Sequence, residues 1–448
     1  MTYREHVRAV LLLGLPLIGS HVAQFAVHVV DTVMLGWYDI EALAAVVLAT
    51  TFFFILFIVG SGFAWAVMPM VASASEEGDD TQVRRVTRMG MWISVAVATL
   101  AMPVMFFSGP ILRLMGQEDD LSVLAQDYLR IAGWGMFPAL LVMVLKSYLA
   151  ALERTRVVMW ATLGAAVLNG VLNYALIFGN WGAPEMGVRG AALASVVLQV
   201  ATLALLSVYA LRALPEHNLF VRIWRPDWEA LAQVFRMGGQ IGMTSLAEAG
   251  LFSASTIIMG WIGTLELAAH GIAIQIISFF FMVHVGLSNA ATVRAGRAFG
   301  RGDEPGLRMG AWAVTSISLG FAIFAMIIFL AVPGLMIGMF IDPGEPLRAD
   351  ILAVGSSLLA VAAFFQLADA SQVMALGLLR GVQDTKTPMI YAAFSYWVVG
   401  VPLSYLLGVT WGFGGVGVWF GLVIGLVIAG ALMANRFWTR SSRISLRA

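Results

Sequence analysis

Three acidic residues, Asp31, Glu248 and Asp369, lie in apolar stretches of the chain, farther from any loop than its other carboxylates. An ionisable side chain in a membrane-spanning helix costs about 2.5–3.5 kcal/mol on insertion scales, and such groups mark ion or substrate paths. A carboxyl group buried without a basic partner tends to hold a proton, which it can exchange for Na⁺ or for a cationic ligand. These residues therefore indicate cation exchange.

Helix geometry places two of the carboxylates near the middle of a bilayer. Glu248 lies twelve residues beyond Arg236, roughly 18 Å at the rise of an α-helix, and Asp369 lies eleven before Arg380, roughly 16 Å. The hydrocarbon core is about 30 Å thick. Asp31 lies nearer the outer end of its span. No lysine or arginine lies at the same depth, so the sequence predicts carboxylates without basic partners.

Polar and aromatic residues recur at helical spacing around these acids. They are Gln24, Val27 and His28 near Asp31; Thr244, Ser245 and Phe252 near Glu248; and Phe365, Gln366 and Gln372 near Asp369. The two phenylalanines could offer ring faces to an organic cation, or they could pack against helices and lipid. His28 is interpreted as a hydrogen-bonded neighbour of Asp31. Asn169 and Asn173, one turn apart, present two amides on one face.

The composition requires lipid as solvent. The 448 residues are 60% hydrophobic and 12% charged, with a mean hydropathy of +0.88, whereas soluble domains are about a quarter charged. The net charge of zero gives no field for nucleic acid, and the absence of cysteine excludes disulfides and thiolate metal sites.

Stretches long enough to span a bilayer predict an all-α integral membrane protein of about twelve transmembrane helices. They lie near 9–36, 42–72, 86–107, 121–150, 157–179, 187–212, 231–262, 265–292, 309–332, 350–379, 388–410 and 415–437. The first starts like a signal peptide, but it continues to Gly36 and is interpreted as an uncleaved helix.

Basic residues predict the orientation. Twenty-one lysines and arginines, from Arg4 to Arg447, lie at the termini and in every second loop, against only Arg113, Arg189 and Arg348 on the opposite side. The sequence thus predicts that both termini are cytoplasmic, in a bacterial-type inner membrane.

The two halves repeat. A shift of 224 residues aligns Gly14 with Gly238 and Gly62 with Gly286, without a gap over roughly 65 residues, as in two-lobed transporters. This predicts two six-helix lobes joined by a linker. The N-terminal lobe covers 1–213, the linker 214–230 and the C-terminal lobe 231–448.

The carboxylates do not recur in the repeat. At the shift of 224 residues Glu248 aligns with Gln24, and at the shift of 230 residues that applies farther along the repeat Asp369 aligns with Ala139. A residue needed merely to build a lobe should recur in both halves, so the difference favours a task specific to each lobe.

Several motifs together resemble one known family. They are Pro16 and Val30-Asp31-Thr32-Val33-Met34-Leu35-Gly36, Asn169-Gly170-Val171-Leu172-Asn173-Tyr174, Glu248, Ala368-Asp369-Ala370, and Leu379-Arg380-Gly381-Val382-Gln383-Asp384-Thr385. Over essentially the whole chain this set resembles the multidrug and toxic compound extrusion (MATE) transporters. Glu248 with Asp369 resembles their NorM-like branch.

The resemblance implies export of amphiphilic organic cations by antiport with Na⁺ or H⁺, with alternating access between two lobes. It implies a monomer without a cofactor, in which Glu248 and Asp369 couple transport and are candidate Na⁺ ligands. It also places Asn169 and Asn173 beside Asp31, where they either hydrogen-bond its carboxyl group, which is favoured, or help to ligate a cation.

Three other functions are alternatives to efflux. A flippase for a lipid-linked or polyisoprenoid substrate of the same superfamily would need basic residues inside its cavity for anionic headgroups, and none lies at mid-depth. A membrane enzyme is not supported, because neither the H-E-x-x-H nor the G-x-S-x-G motif occurs. An ATP-driven pump is not supported either, because the sequence has no phosphate-binding loop.

Overall fold

A computed structural model describes residues 2–444, and within them the chain is helical with no β-strand. Met1 and residues 445–448, including Arg447 of the orientation argument, lie outside the described residues.

Twelve of the helices are long and apolar enough to cross a membrane, which confirms the predicted number of spans. In chain order they are Tyr3–Tyr38, Ile40–Glu76, Asp80–Phe106, Asp119–Ala151, Thr155–Phe178, Val188–Ala213, Trp228–Ile262, Thr264–Gly300, Glu304–Ala331, Arg348–Gly381, Lys386–Thr410 and Gly414–Ser441. Most exceed the predicted stretches, because helical backbone bonding continues into polar flanks that a hydropathy criterion leaves out.

The acidic loop after the second span forms a helix cap that the repeat reproduces. The Asp79 side chain accepts from the backbone N–H of Gln82, and Asp303 does the same for Gly306, each at 2.9 Å. Gly78 and Gly302, which precede the caps, adopt positive φ angles of 72° and 67°. Glycine adopts this conformation without a Cβ clash, which explains the paired Gly-Asp motif.

The chain forms two compact units. The first unit consists of Gly19–Gly242, and the second consists of the residues before Gly19 together with those from Met243 onward. The boundaries therefore fall inside the first and seventh spans. The sixth span ends at Ala213 and the seventh begins at Trp228. The segment between them therefore covers 214–227, within the linker predicted at 214–230.

Each unit contains a close helix crossing at a glycine, and the two crossings occupy equivalent positions in the repeat. In the first unit, a Cβ on Gly62 would lie 2.4 Å from the backbone nitrogen of Gly242. In the second unit, a Cβ on Gly286 would lie 2.7 Å from the backbone nitrogen of Ile18. The shift of 224 residues relates the two crossings, so the repeat conserves the packing of helix backbones.

The eleventh span departs from α-helical geometry. It widens into π-helical turns at Phe394–Gly400 and Leu406–Thr410, on either side of a short α-helical segment that contains Pro402. Such turns re-aim side chains within a helix and are frequent at functional sites. The first of them carries Tyr396, which is fully buried in the second unit.

Candidate functional site

The first unit contains a carboxylate held by two amides. The side-chain nitrogens of Asn169 and Asn173, on the fifth span, each donate a hydrogen bond of 2.6 Å to Oδ1 of Asp31 on the first span. Both asparagines are fully buried, whereas Asp31 is half-buried. The predicted hydrogen bonding is confirmed.

The same asparagines keep an acceptor each. Neither Oδ1 of Asn169 nor that of Asn173 has a hydrogen-bond partner among the described residues. Amide and carboxylate oxygens are the ligands that hard cations prefer. The arrangement is therefore compatible with both roles predicted for the asparagines. Within residues 2–444, no three His, Asp or Glu side chains are grouped to hold a metal ion.

Two further residues flank Asp31. His28 lies within electrostatic range of its carboxyl group, but it is exposed and makes no hydrogen bond to Asp31 in the described part of the chain, contrary to the expectation. Tyr128 is buried on the fourth span within electrostatic range of Asp31. Sequence reasoning missed Tyr128, because a single tyrosine in an apolar span has no distinguishing pattern.

The second unit brings the other two carboxylates together. Glu248 on the seventh span is half-buried, and Asp369 on the tenth is only 1% exposed. Their carboxyl groups lie within electrostatic range of each other. Neither oxygen of Asp369 has a hydrogen-bond partner among the described residues. Two carboxyl groups so placed are best satisfied when they share a cation or a proton.

The expectation that these acids lack a basic neighbour is wrong. The guanidinium of Arg380, at the cytoplasmic end of the tenth span by the predicted orientation, lies within electrostatic range of Glu248, and its Nε is buried. A depth counted along the helix axis gives the position of a Cα atom, whereas an arginine side chain extends several ångströms farther. Tyr396, also missed, lies within electrostatic range of both acids.

The side chains predicted around Glu248 and Asp369 are mostly buried in the second unit. Gln366 and Gln372 are fully buried on the tenth span, and Ser245 is 8% exposed. Phe365 is 1% exposed and packs edge-on against Phe252, with ring centroids 6.0 Å apart. Phe365 is therefore packed inside the second unit, and the half-buried Phe252 remains a candidate for contact with a ligand.

On the first span, Gln24 is half-buried and belongs to the first unit. Lys146 of the fourth span is half-buried in the same unit and lies within electrostatic range of His21, so a basic charge is present inside each unit.

A helical protein with twelve spans and a cluster of ionisable side chains inside each of its two units is a polytopic membrane transporter. The MatE family profile matches residues 16–175 and 241–406, one match in each half of the repeat. The chain belongs to the MatE family, whose members are transporters and not enzymes.

Relatives and solved structures agree with this assignment. The chain is 46% identical to the probable multidrug resistance protein NorM of Rhizobium meliloti, over 99% of this chain and 96% of that protein. It is 37% identical to the protein of the same name from Synechocystis, over 97% and 95%.

The fold is similar to that of a crystal structure of a eukaryotic MATE transporter, with a TM-score of 0.90 at 17% identity, covering 99% of this chain and 98% of the other. It is also similar to a MOP superfamily transporter from Pyrococcus furiosus, with a TM-score of 0.87 at 19% identity, covering 98% and 97%.

Proposed function

We propose that this chain is a secondary active multidrug efflux transporter that exports amphiphilic organic cations in exchange for Na⁺ or H⁺. The names of its curated relatives support efflux of drugs. The observation that carries the exchange mechanism is the pair of Glu248 and Asp369, two acids within electrostatic range of each other inside one unit.

Na⁺, a proton and an organic cation would compete for the negative charge of this pair. Arg380 compensates part of the charge of Glu248, while Asp369 accepts no hydrogen bond from a described protein group. An incoming Na⁺ or proton satisfies the pair, and a bound organic cation satisfies it in the same way. Binding of one therefore opposes binding of the other, which is the thermodynamic linkage that antiport requires. Alternating access of lobes 1–213 and 231–448 would expose the pair to each side in turn.

The experiment is efflux of a fluorescent organic cation from inverted membrane vesicles, driven by a Na⁺ gradient or by a pH gradient. Glu248→Gln and Asp369→Asn should insert normally, since removing a charge eases insertion, but should lose gradient-driven efflux. The double variant should lose less than the sum of the single losses, because the two groups belong to one network.

The matched control is Asp350→Asn, an exposed acid in the first turn of the same tenth span. It should transport at the parental rate. Parental efflux in the Glu248→Gln and Asp369→Asn variants, at normal expression, would contradict the coupling role.

The flippase remains the second candidate because Lys146 supplies a half-buried basic group within the first unit. The same vesicles distinguish the two functions. A flippase would translocate a fluorescent lipid-linked anionic headgroup with no imposed cation gradient, and it would not move the organic cation.

A further inference from the structure

The segment between the sixth and seventh spans, residues 214–227, is held against the third span. Arg88 of that span donates hydrogen bonds of 2.7 Å to the backbone carbonyls of Asn218 and Leu219, and it also donates to the carbonyl of Val221. One guanidinium therefore fixes three carbonyl groups of a segment that has little regular structure of its own.

Two more side chains of the third span hold the rest of the segment. The indole nitrogen of Trp92 donates to the carbonyl of Ile223 at 2.7 Å. Arg85 binds both carboxylate oxygens of Asp227, at 2.5 and 3.1 Å. Residues 85, 88 and 92 share one helix face, so the segment runs along the third span.

The charge pattern of the third span indicates that this position lies at a membrane interface. Arg88 is the last charged residue of the third span, and every residue from Met89 to Trp92 is uncharged. The segment thus lies where the polar end of the helix gives way to its apolar part, which is the depth of lipid headgroups.

The side of the segment facing away from the protein combines aromatic and basic groups. Leu219 is buried, but the linker surface is exposed, and it consists of Val221 (55% exposed), Trp224 (70%), Trp228 (71%), Arg222 and Arg225. Among the described residues, the guanidinium of neither arginine has a hydrogen-bond or ion-pair partner.

We propose that the linker surface binds the headgroups of anionic phospholipids of the cytoplasmic leaflet. Tryptophan rings are favoured at the membrane–water interface. Arginine forks match phosphate oxygens, and basic segments next to a span are attracted to anionic lipid. The third span holds the backbone of the segment in place, so binding does not require folding of a disordered chain. The proposal uses the predicted orientation and does not depend on the transported substrate.

The absence of cysteine makes a site-specific test direct. A Trp224→Cys variant of the full chain would carry an environment-sensitive fluorophore, in nanodiscs of phosphatidylcholine with increasing phosphatidylglycerol. A nitroxide on the headgroup of a tracer lipid would quench it. We expect quenching to rise with phosphatidylglycerol and to weaken with salt. With Arg222→Gln and Arg225→Gln, the fraction of phosphatidylglycerol for half-maximal quenching should rise by roughly tenfold.

The control removes the same charge elsewhere. Arg440→Gln with Arg443→Gln changes two exposed arginines near the C-terminal end of the described residues, and it should leave the titration unchanged. If Trp224→Cys does not elute as the folded chain, Val221→Cys serves as the reporter.

Three results would overturn the proposal. Equal quenching at every lipid composition would mean that apolar contact alone holds the surface in the interface. No quenching at all would mean that it faces water. Disulfide cross-linking between two copies of the unlabelled Trp224→Cys variant would assign the surface to a second molecule of this chain.

Discussion

At the scale of single residues, the Asp31 cluster has the most completely described geometry. Its Oδ1 accepts two amide hydrogen bonds of 2.6 Å from fully buried asparagines. A carboxyl group fixed in this way is held at one position and orientation, which an ion-exchange site requires if it is to be selective.

Removing one amide should therefore impair transport before it impairs folding. In Asn173→Ala, Asp31 loses one of its two donors, which costs about 1–3 kcal/mol for a buried polar group. We expect slower efflux of the fluorescent cation with near-normal expression. Asn180→Ala is the control, since among the described residues that side-chain amide donates only to the backbone carbonyl of Tyr174. Unchanged efflux in Asn169→Ala, Asn173→Ala and the double variant would exclude a role for this cluster.

The residues missed from sequence share one physical reason. Tyr128 approaches Asp31 from the fourth span, whereas Arg380 and Tyr396 approach Glu248 from the tenth and eleventh spans. Spacing along one helix gives the face and depth of a residue, but it says nothing about which neighbouring helix that face meets. The Asp31 contact could be anticipated only because the motif around Asn169 and Asn173 resembles a known family.

At the scale of helices, the two glycine crossings predict paired sensitivity. Gly62→Ala would place a methyl group against the seventh-span backbone, and Gly286→Ala would place one against the first span. Overpacking of this kind costs about 1–3 kcal/mol. We expect both variants to unfold at a lower temperature in detergent.

Gly164→Ala is the matched control for these substitutions. It is a helical glycine whose added Cβ would meet nothing within 4 Å. Its unfolding temperature should stay at or slightly above that of the parent, because alanine is the better helix former. Equal behaviour of all three variants would contradict the packing argument.

The ion pair between Arg85 of the third span and Asp227 of the linker predicts a pH dependence of stability. The hydrogen bond from Arg85, more than any other contact, lowers the pKa of Asp227 below its usual value. Because the folded pKa is the lower one, the pair stabilises the fold above the unfolded pKa of about 3.9, and this contribution is lost as the pH falls through the folded pKa. Asp227→Asn retains an acceptor for the Ala230 N–H but removes the charge.

We therefore expect the parent to unfold at a higher temperature than Asp227→Asn near neutral pH, and the difference to shrink as the pH falls below about 4. Thermal unfolding of both proteins across this range is the measurement. A constant difference at every pH would show that the charge of Asp227 contributes nothing to stability.

At the scale of the whole molecule, hydropathy was enough to predict the span count, since each bilayer crossing must satisfy its own backbone and remain apolar for about 20 residues. The boundaries between compact units were not predictable in this way. They fall inside the first and seventh spans, within continuous apolar helices whose composition does not change at the boundary.

The basic-residue asymmetry predicts the topology. A reporter fused after Ala448 should signal a cytoplasmic location, and an epitope inserted in the loop 343–347 should be accessible from outside the cell. Enzymatic reporters and labelling of intact cells measure the two sites independently. An external C-terminus would contradict both the orientation and the even number of spans.

The assignment of the residues before Gly19 to the second unit has a consequence for biosynthesis. Ile18, in this N-terminal segment, is synthesised well before Gly286, the glycine at which the two helices cross. At a translation rate of about 5–20 residues per second, roughly 10–50 s pass between the synthesis of this segment and that of Gly286. The first unit, likewise, is complete only when the ribosome has passed Gly242. A chain cleaved within the linker would therefore yield two fragments, neither of which contains all the residues of one unit.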